Sequence, residues 1–216
     1  MLHVTKNMNI FCYTQFPSLE RYFYYRQISH FLSELAWEYP NFYAWYEKLF
    51  QEDKTLQEER EILLCVAGNV IAGVAILKRT AEEQKICTLR VGEAFQHQGI
   101  GKKLMELSLE WLENDKPLIT LHKKKQREFS PLLRYYGFTL EQKKWSYYHI
   151  FSTELVYNGE LPGKRILLSH LESADITKIF HDFCKAGHRD WQAFYERYLH
   201  QWRKSPEWEK NVNTGY

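Results

Sequence analysis

The apolar positions of this 216-residue chain change period in an order that predicts its elements. Asn9 to Tyr13 reads as a first strand. Ser18, after Pro17, is a candidate cap for a helix with Glu20 in its first turn. Leu19, Phe23, Phe31, Leu32 and Leu35 give that helix a broken apolar face. Pro40-Asn41 opens a second helix with Phe42, Trp45, Tyr46 and Leu49 on one side. The charged stretch from Gln51 to Glu61 reads as a loop. Ile62 to Ala67 and Val70 to Leu77, joined by the turn signal Gly68-Asn69, form a hairpin. After a polar stretch from Thr80 to Lys85, Ile86 to Val91 extends the hairpin into an antiparallel meander. Ile100, Leu104, Leu107, Trp111 and Leu112 then fall on one face of a helix. Asn114 to Pro117 breaks it, and Leu118 to Leu121 is a short apolar strand. Ser130 to Tyr136 reads as a short helix closed by Gly137, and Phe138 to Gln142 with Trp145 to Phe151 as a terminal hairpin.

The pattern changes beyond Tyr157, which sets a catalytic-type domain at 1–157 and an extension at 158–216. Asn158 to Gly163 is a turn-rich linker. Ile166 to Leu168 is one further expected strand. Ile176, Ile179, Phe180 and Phe183 mark one helix, with Gly187 as its C-cap. Trp191, Phe194, Tyr195, Tyr198 and Trp202 mark a last helix capped by Asp190 and limited by Pro206. Their apolar faces pack on each other, on the first domain, or across a homodimer.

Composition narrows the function classes. A hydrophobic content of 44% suffices for a core, and the 16% aromatics suit core packing better than a base-stacking platform. A net charge of +2 carries no global nucleic-acid signal. Cys12, Cys65, Cys87 and Cys184 are scattered without a Cys-x-x-Cys pair, so they read as reduced thiols, and no metal is expected. The first residues lack the apolar core of a secretory leader, and no apolar run reaches membrane-spanning length. These features imply a soluble cytoplasmic protein with no membrane partner.

The segment from Ile86 to Leu112 carries the candidate chemistry. A strand ends at Arg90-Val91, a short turn follows, and a helix starts after Gln96-His97-Gln98-Gly99-Ile100-Gly101. The first amides of a helix lack intrahelical partners and carry the positive end of its dipole. Glycines let that backbone close on a diphosphate without a Cβ in the way. The spacing matches neither the dinucleotide fingerprint nor the P-loop. Lys102 and Lys103 stand in the first turn, where acidic residues are usual, and could pair with phosphates.

Gln96-x-x-Gly99-x-Gly101 a few residues after a strand resembles the acetyl-CoA signature of the GNAT superfamily of N-acyltransferases. The element order over Asn9 to Thr153 is similar too, and Ile86 to Val91 with Lys116 to Thr120 resembles uncharacterised bacterial GNAT proteins. The resemblance implies an α/β (α+β) fold: a mixed, mostly antiparallel sheet flanked by helices, here with a C-terminal helical extension. It implies that the strand before the glycine turn and the next parallel strand splay apart to admit the pantetheine arm of acetyl-CoA. The implied cofactor-binding set is Leu89, Arg90, Val91, Gln96, His97, Gln98, Gly99, Ile100, Gly101, Lys102 and Lys103. In it the Leu89 and Val91 backbone holds the arm, and Gln98 to Lys103 hold the diphosphate.

Direct transfer of an acetyl group to a primary amine needs a proton acceptor, donors for the developing oxyanion and a proton for the leaving sulfur. His122, closing the strand at the splayed position, is the candidate base; as a strand-end histidine it could equally be structural. Glu59, Glu61 and Glu93 are alternatives. The family's thiolate-protonating tyrosine stands four residues before a Gly-Phe pair; here Gly137-Phe138 follows Leu133 at that spacing. Tyr135, Tyr136 and Ser130 are the substitutes. Cys87 reads as a buried strand cysteine rather than a nucleophile.

The expected activity is an N-acetyltransferase acting on a small-molecule or peptide amine. Two alternatives stand beside it. Leu133 and the helical tail would suit a non-catalytic acyl-CoA-binding or sensing module. The basic run Lys123-Lys124-Lys125-Gln126-Arg127 would suit an RNA-directed, aminoacyl-tRNA acetyltransferase, a nucleic-acid partner that net charge does not favour.

Overall fold

A computed structural model describes residues 8–39, 42–51, 59–145, 147–148 and 152–161. The chain divides into two units, Met1–Arg165 and Ile166–Tyr216. The strand expected at Ile166 and both expected C-terminal helices lie outside the described residues.

The first unit is built on a seven-stranded sheet ordered β1-β2-β3-β4-β5-β7-β6. Its centre is the expected meander: β2 (Arg60–Ala67), β3 (Val70–Arg79) and β4 (Gln84–Val91). The first strand, β1 (Met8–Cys12), pairs antiparallel with β2. Parallel pairing occurs once, between β4 and β5 (Leu118–His122). β7 (Thr153–Tyr157) lies antiparallel between β5 and β6 (Leu140–Trp145).

Alternation along the strands divides the core between two faces. Ile62, Leu64, Val74 and Ile76 point toward α1 (Ser18–Phe31) and α3 (Phe42–Gln51), where Ile28, Leu32 and Tyr46 meet them. Leu63, Ala75, Leu77, Ile86 and Ile119 point the other way. There they meet Ile100, Leu104, Met105 and Leu112 of α4 (Ile100–Leu112) and Leu133 of α5 (Gln126–Tyr135). Both helix layers are thus fixed by period-2 strands facing period-3.6 helices.

Four local expectations need correction. Ser18 is the first helical residue rather than a side-chain cap; Pro17 holds the cap position and its carbonyl accepts Arg21 N–H at 2.9 Å. A short helix, α2 (Leu35–Glu38), stands between the two expected ones. α5 begins at Gln126 rather than Ser130, with Pro131 inside it and the Ser130 hydroxyl donating to the Gln126 carbonyl at 2.5 Å. The final strand begins at Thr153, not Trp145. Trp145 ends β6 opposite Thr153, while Tyr147 is buried with Leu118, Val156 and Leu161. Tyr147 and Tyr148, which read as strand, are packed connecting residues between β6 and β7.

Gly73 on β3 lets α4 settle on the sheet. A Cβ there would stand 2.9 Å from Leu104 Cδ1, 3.0 Å from Ile100 Cγ2 and 3.2 Å from the Arg90 carbonyl. The last is backbone, so β4 or α4 must move to admit a methyl group. Gly73→Ala is expected to lose about 1–3 kcal/mol by overpacking, read as a lowered midpoint in urea unfolding. Unchanged stability would show that α4 does not rest on β3 this closely.

Candidate functional site

The site begins where β4 and β5 part. Their parallel register consists of Lys85↔Leu118 and Ile86↔Ile119 and goes no further. On the other side of β4 the register with β3 passes from Leu77↔Ile86 to Ile76↔Thr88, leaving Cys87 as an inserted residue. A bulge bends its strand and adds twist. The bend therefore starts one residue after the last pair with β5, and the strands diverge from there. Gly92 N–H donates to the Ala72 carbonyl at 2.9 Å. In an antiparallel ladder the backbone groups alternate sides. Arg90 thus addresses β3, while Leu89 and Val91 turn their backbone groups into the gap.

A tight loop leads from this edge to α4. It passes through a single 3₁₀ turn, Glu93–Phe95, and the Gln98 side-chain amide donates back to the Ala94 carbonyl at 3.1 Å. His97 (φ 60°) and Gly99 (φ 84°) are both left-handed, a conformation costly for the histidine. The Gly99 carbonyl accepts Lys103 N–H at 3.0 Å, which starts the α4 ladder. The amides of Ile100, Gly101 and Lys102 precede that bond and have no intrahelical acceptor. No acidic side chain occupies this first turn. An ideal Cβ on Gly101 would meet only Val91 Cγ2, at an ordinary 3.7 Å. The protein leaves a methyl-sized space beside these amides, as a phosphate cradle requires.

The substitutes for the family tyrosine gather at the start of α4. Lys102 Nζ donates to the Tyr135 hydroxyl at 2.7 Å and lies 4.0 Å from its ring centre. The Tyr136 hydroxyl lies 3.3 Å from the Lys102 carbonyl and 3.4 Å from Glu106 Oε1. Burial, then the Glu106 charge, pushes Tyr136 up to about 12, so it is a proton donor at neutral pH. Lys103 Nζ reaches Glu106 at 3.4 Å. Leu133 belongs to the core beneath α4 and α5. The Ser130 hydroxyl faces its own helix, as noted above.

On the opposite face of the sheet lie the groups beside His122. His122 Nδ1 accepts the Lys124 N–H at 3.2 Å, so the neutral ring carries its proton on Nε2. Of the alternative carboxylates, Glu61 is buried and accepts from Thr14 N, Thr14 Oγ1 and Ile62 N at 3.2, 2.5 and 2.9 Å. It ties the turn after β1 to β2. Glu93 sits exposed in the loop, and Glu59 contributes a carbonyl to Arg79 N–H.

The sequence reading missed Glu154. It stands on β7 in register with His122 of β5 and Lys144 of β6, and only 1% of its surface is exposed. The Tyr39 hydroxyl donates to it at 3.0 Å, and Thr120 supplies another hydrogen bond. Tyr39 packs edge-on against Tyr148 at 5.3 Å, and Lys85 Nζ lies 3.5 Å from the Tyr148 hydroxyl. The signal was available: a single acid directly before the apolar run Leu155-Val156-Tyr157. Placing the strand at Trp145 to Phe151 hid it.

A family model for an acetyltransferase (GNAT) domain matches residues 35–150, and the chain belongs to the GNAT family. The fold is similar to that of a GNAT-family protein from Desulfovibrio desulfuricans, at 15% identity and TM-score 0.51, covering 69% of this chain and 96% of that one. A GNAT-family acetyltransferase from Elizabethkingia anophelis, determined with acetyl-CoA bound, aligns at 18% identity and TM-score 0.43, over 73% of this chain and 100% of that one. A Bacillus subtilis acetyltransferase in complex with CoA aligns at 21% identity and TM-score 0.40, over 51% and 85%. No curated protein matches the chain. None of the described helices is long and apolar enough to cross a membrane.

Burial raises the Glu154 carboxyl from an ordinary 4.5 to about 7, and the nearby Glu38 charge adds to the rise. The Tyr39 and Thr120 hydrogen bonds and Lys85 oppose it without overcoming it. Between these two values the folded protein holds a proton that the unfolded chain has released. Stability therefore falls as pH rises from 4.5 to 7, by roughly 3 kcal/mol in all. Glu154→Gln, a neutral shape match, is expected to melt higher than the parent at pH 8 and at the same temperature at pH 5. A variant less stable than the parent at pH 8 would contradict a desolvated carboxylate here.

Proposed function

We propose that this protein transfers the acetyl group of acetyl-CoA directly to a primary amine. The observation that carries this reading is the parting of β4 and β5 beside a loop whose amides and missing Cβ leave room for a diphosphate. The Leu89 and Val91 backbone would pair with the pantetheine arm, and an amide of one of them would meet the developing oxyanion. Gln98 to Lys103 would hold the diphosphate. Arg90 serves as backbone only, since its guanidinium is paired with Glu34 and stands 5.8 Å from the Phe31 ring centre. Bound acetyl-CoA supplies an activated carbonyl carbon and a thiolate leaving group. Tyr136, held protonated, is the proposed proton donor to that sulfur, with Tyr135 beside it at a ring separation of 5.0 Å.

The acceptor in this reading is a small molecule or a peptide rather than RNA. Lys125 of the basic run already meets Glu128 at 3.3 Å. Lys124 and Lys125 also lie close enough to Glu38 to oppose the rise in its carboxyl that burial causes. Cys12, Cys65 and Cys87 are free thiols, which suits a reducing compartment.

Gly101 separates a ligand role from a structural one. Its backbone is ordinary and its Cβ direction open, so Gly101→Ala should raise stability by up to about 1 kcal/mol. Gly101→Glu, which sets a carboxylate beside the first amides of α4, should abolish acetyl-CoA binding. Urea unfolding checks the first; calorimetry with acetyl-CoA and a thiol-release assay with amines check the second. No binding by the parent would end the acetyltransferase reading; tight binding without thiol release on any amine would favour a binding module.

A further inference from the structure

We propose that Glu154, held by the Tyr39 hydroxyl and by Thr120, takes the proton from the acceptor amine, directly or through one water. The inference rests on the acetyl-transfer reading above and adds the residue that makes the amine a nucleophile.

The argument begins with the two faces of the sheet. The diphosphate cradle belongs to α4, which covers the face bearing Ile86, Ile119 and Leu121. With the thioester in the gap between β4 and β5, the acceptor must approach from the other face. Thr120 and His122 alternate onto that face, and Glu154 lies in register with His122. The groups turned toward this carboxylate come from every surrounding element. Among the described residues they are Glu38 and Tyr39 at the end of α2, Lys85 on β4 and Thr120 on β5, with His122 and Lys144 in register on either side and Tyr148 packed against Tyr39. Lys85 favours the carboxylate and Glu38 opposes it. Burial keeps the Cys87 thiol protonated, so it does not compete as a base. The lone pair of His122 Nδ1 is occupied by the Lys124 amide.

An amine arrives as an ammonium ion, which a buried carboxylate attracts. Glu154 takes one proton, and the freed nitrogen lone pair forms the C–N bond as the thioester C–S bond breaks. The departing sulfur takes the Tyr136 proton; the second nitrogen proton is released to solvent, from which Tyr136 is reprotonated. The Glu154 proton then returns to solvent. A base is most effective when its affinity for protons matches the working pH, and this carboxyl, raised to about 7, meets that condition.

The test uses the full chain, acetyl-CoA and a probe panel of n-butylamine, spermidine, a peptide with a free α-amine and a lysine peptide. Glu154→Gln should lower kcat by about a hundredfold to ten-thousandfold at pH 7.5, leave acetyl-CoA affinity unchanged, and remove the acidic limb near pH 7 from the rate profile. Tyr39→Phe removes a bond that favours the charged form, so it should move that limb to higher pH. A parent that transfers acetyl while Glu154→Gln keeps its rate and its limb would overturn this inference alone. A parent that binds acetyl-CoA but acetylates no amine would overturn the transfer reading and this one with it. Should Glu154→Gln fail to fold, the Tyr39→Phe profile decides: a displaced limb supports the role and an unmoved one overturns it.

Discussion

Two strands that stop pairing inside a continuous sheet are the constraint around which this domain is built. An exposed strand edge is a liability, and backbone groups facing a gap need partners. The fold tolerates the gap because each strand is held on its far side. β4 is laddered to β3 along its length, and β5 to β7 at Ile119, Thr120, Leu121 and His122. Below the gap, Ile86 and Ile119 close the sheet with fully buried side chains. The separation is thus a fixed fork rather than a frayed edge. A substrate arm that adds hydrogen bonds to Leu89 and Val91 would take the place beside β4 that β5 leaves after Ile119.

The two buried carboxylates among the described residues, Glu61 and Glu154, show how donor type decides a role. Glu61 accepts two backbone N–H groups and a hydroxyl, all from its immediate surroundings. Such an arrangement leaves its oxygens committed to holding β1 against β2. Glu154 receives side-chain hydroxyls from Tyr39 and Thr120, while the nearest favourable charge, Lys85, is engaged with Tyr148. Weaker donors leave burial as the larger influence. The proton affinity of Glu154 therefore follows from burial that its hydrogen bonds and Lys85 do not offset.

Elements with one strong period were legible in the chain. The meander from Arg60 to Val91 and the helix from Ile100 to Leu112 follow from local hydrophobic patterning, and the glycine turn between them follows from spacing. The last hairpin was not legible, because Tyr147 and Tyr148 have high strand propensity yet pack as a connection over Leu118 and Val156. That one error displaced β7 and concealed Glu154. Nor does any local pattern report that Tyr39, far away in the chain, ends a short helix directly above β7. Contacts of that range arise from topology, here from β7 inserting between β5 and β6.

Departures from local stability rules mark the site better than any motif does. His97 adopts a left-handed backbone that a histidine disfavours. Gly101 weakens the start of α4 without filling any steric need of the protein. Glu154 holds a carboxyl in a dry place where a neutral side chain would be more stable. Each alone has a bland explanation. Together they follow one path, from the loop before α4 through the gap between β4 and β5 to the face beneath Tyr39. Conflicts of this kind are expected where function sets the residue. On the proposed reading, the loop before α4 and Glu154 would stand on the two sides of the sheet that a transfer reaction must connect. A domain that only stored an acyl-CoA would need the cradle, but would have no use for the costly carboxyl on the far face.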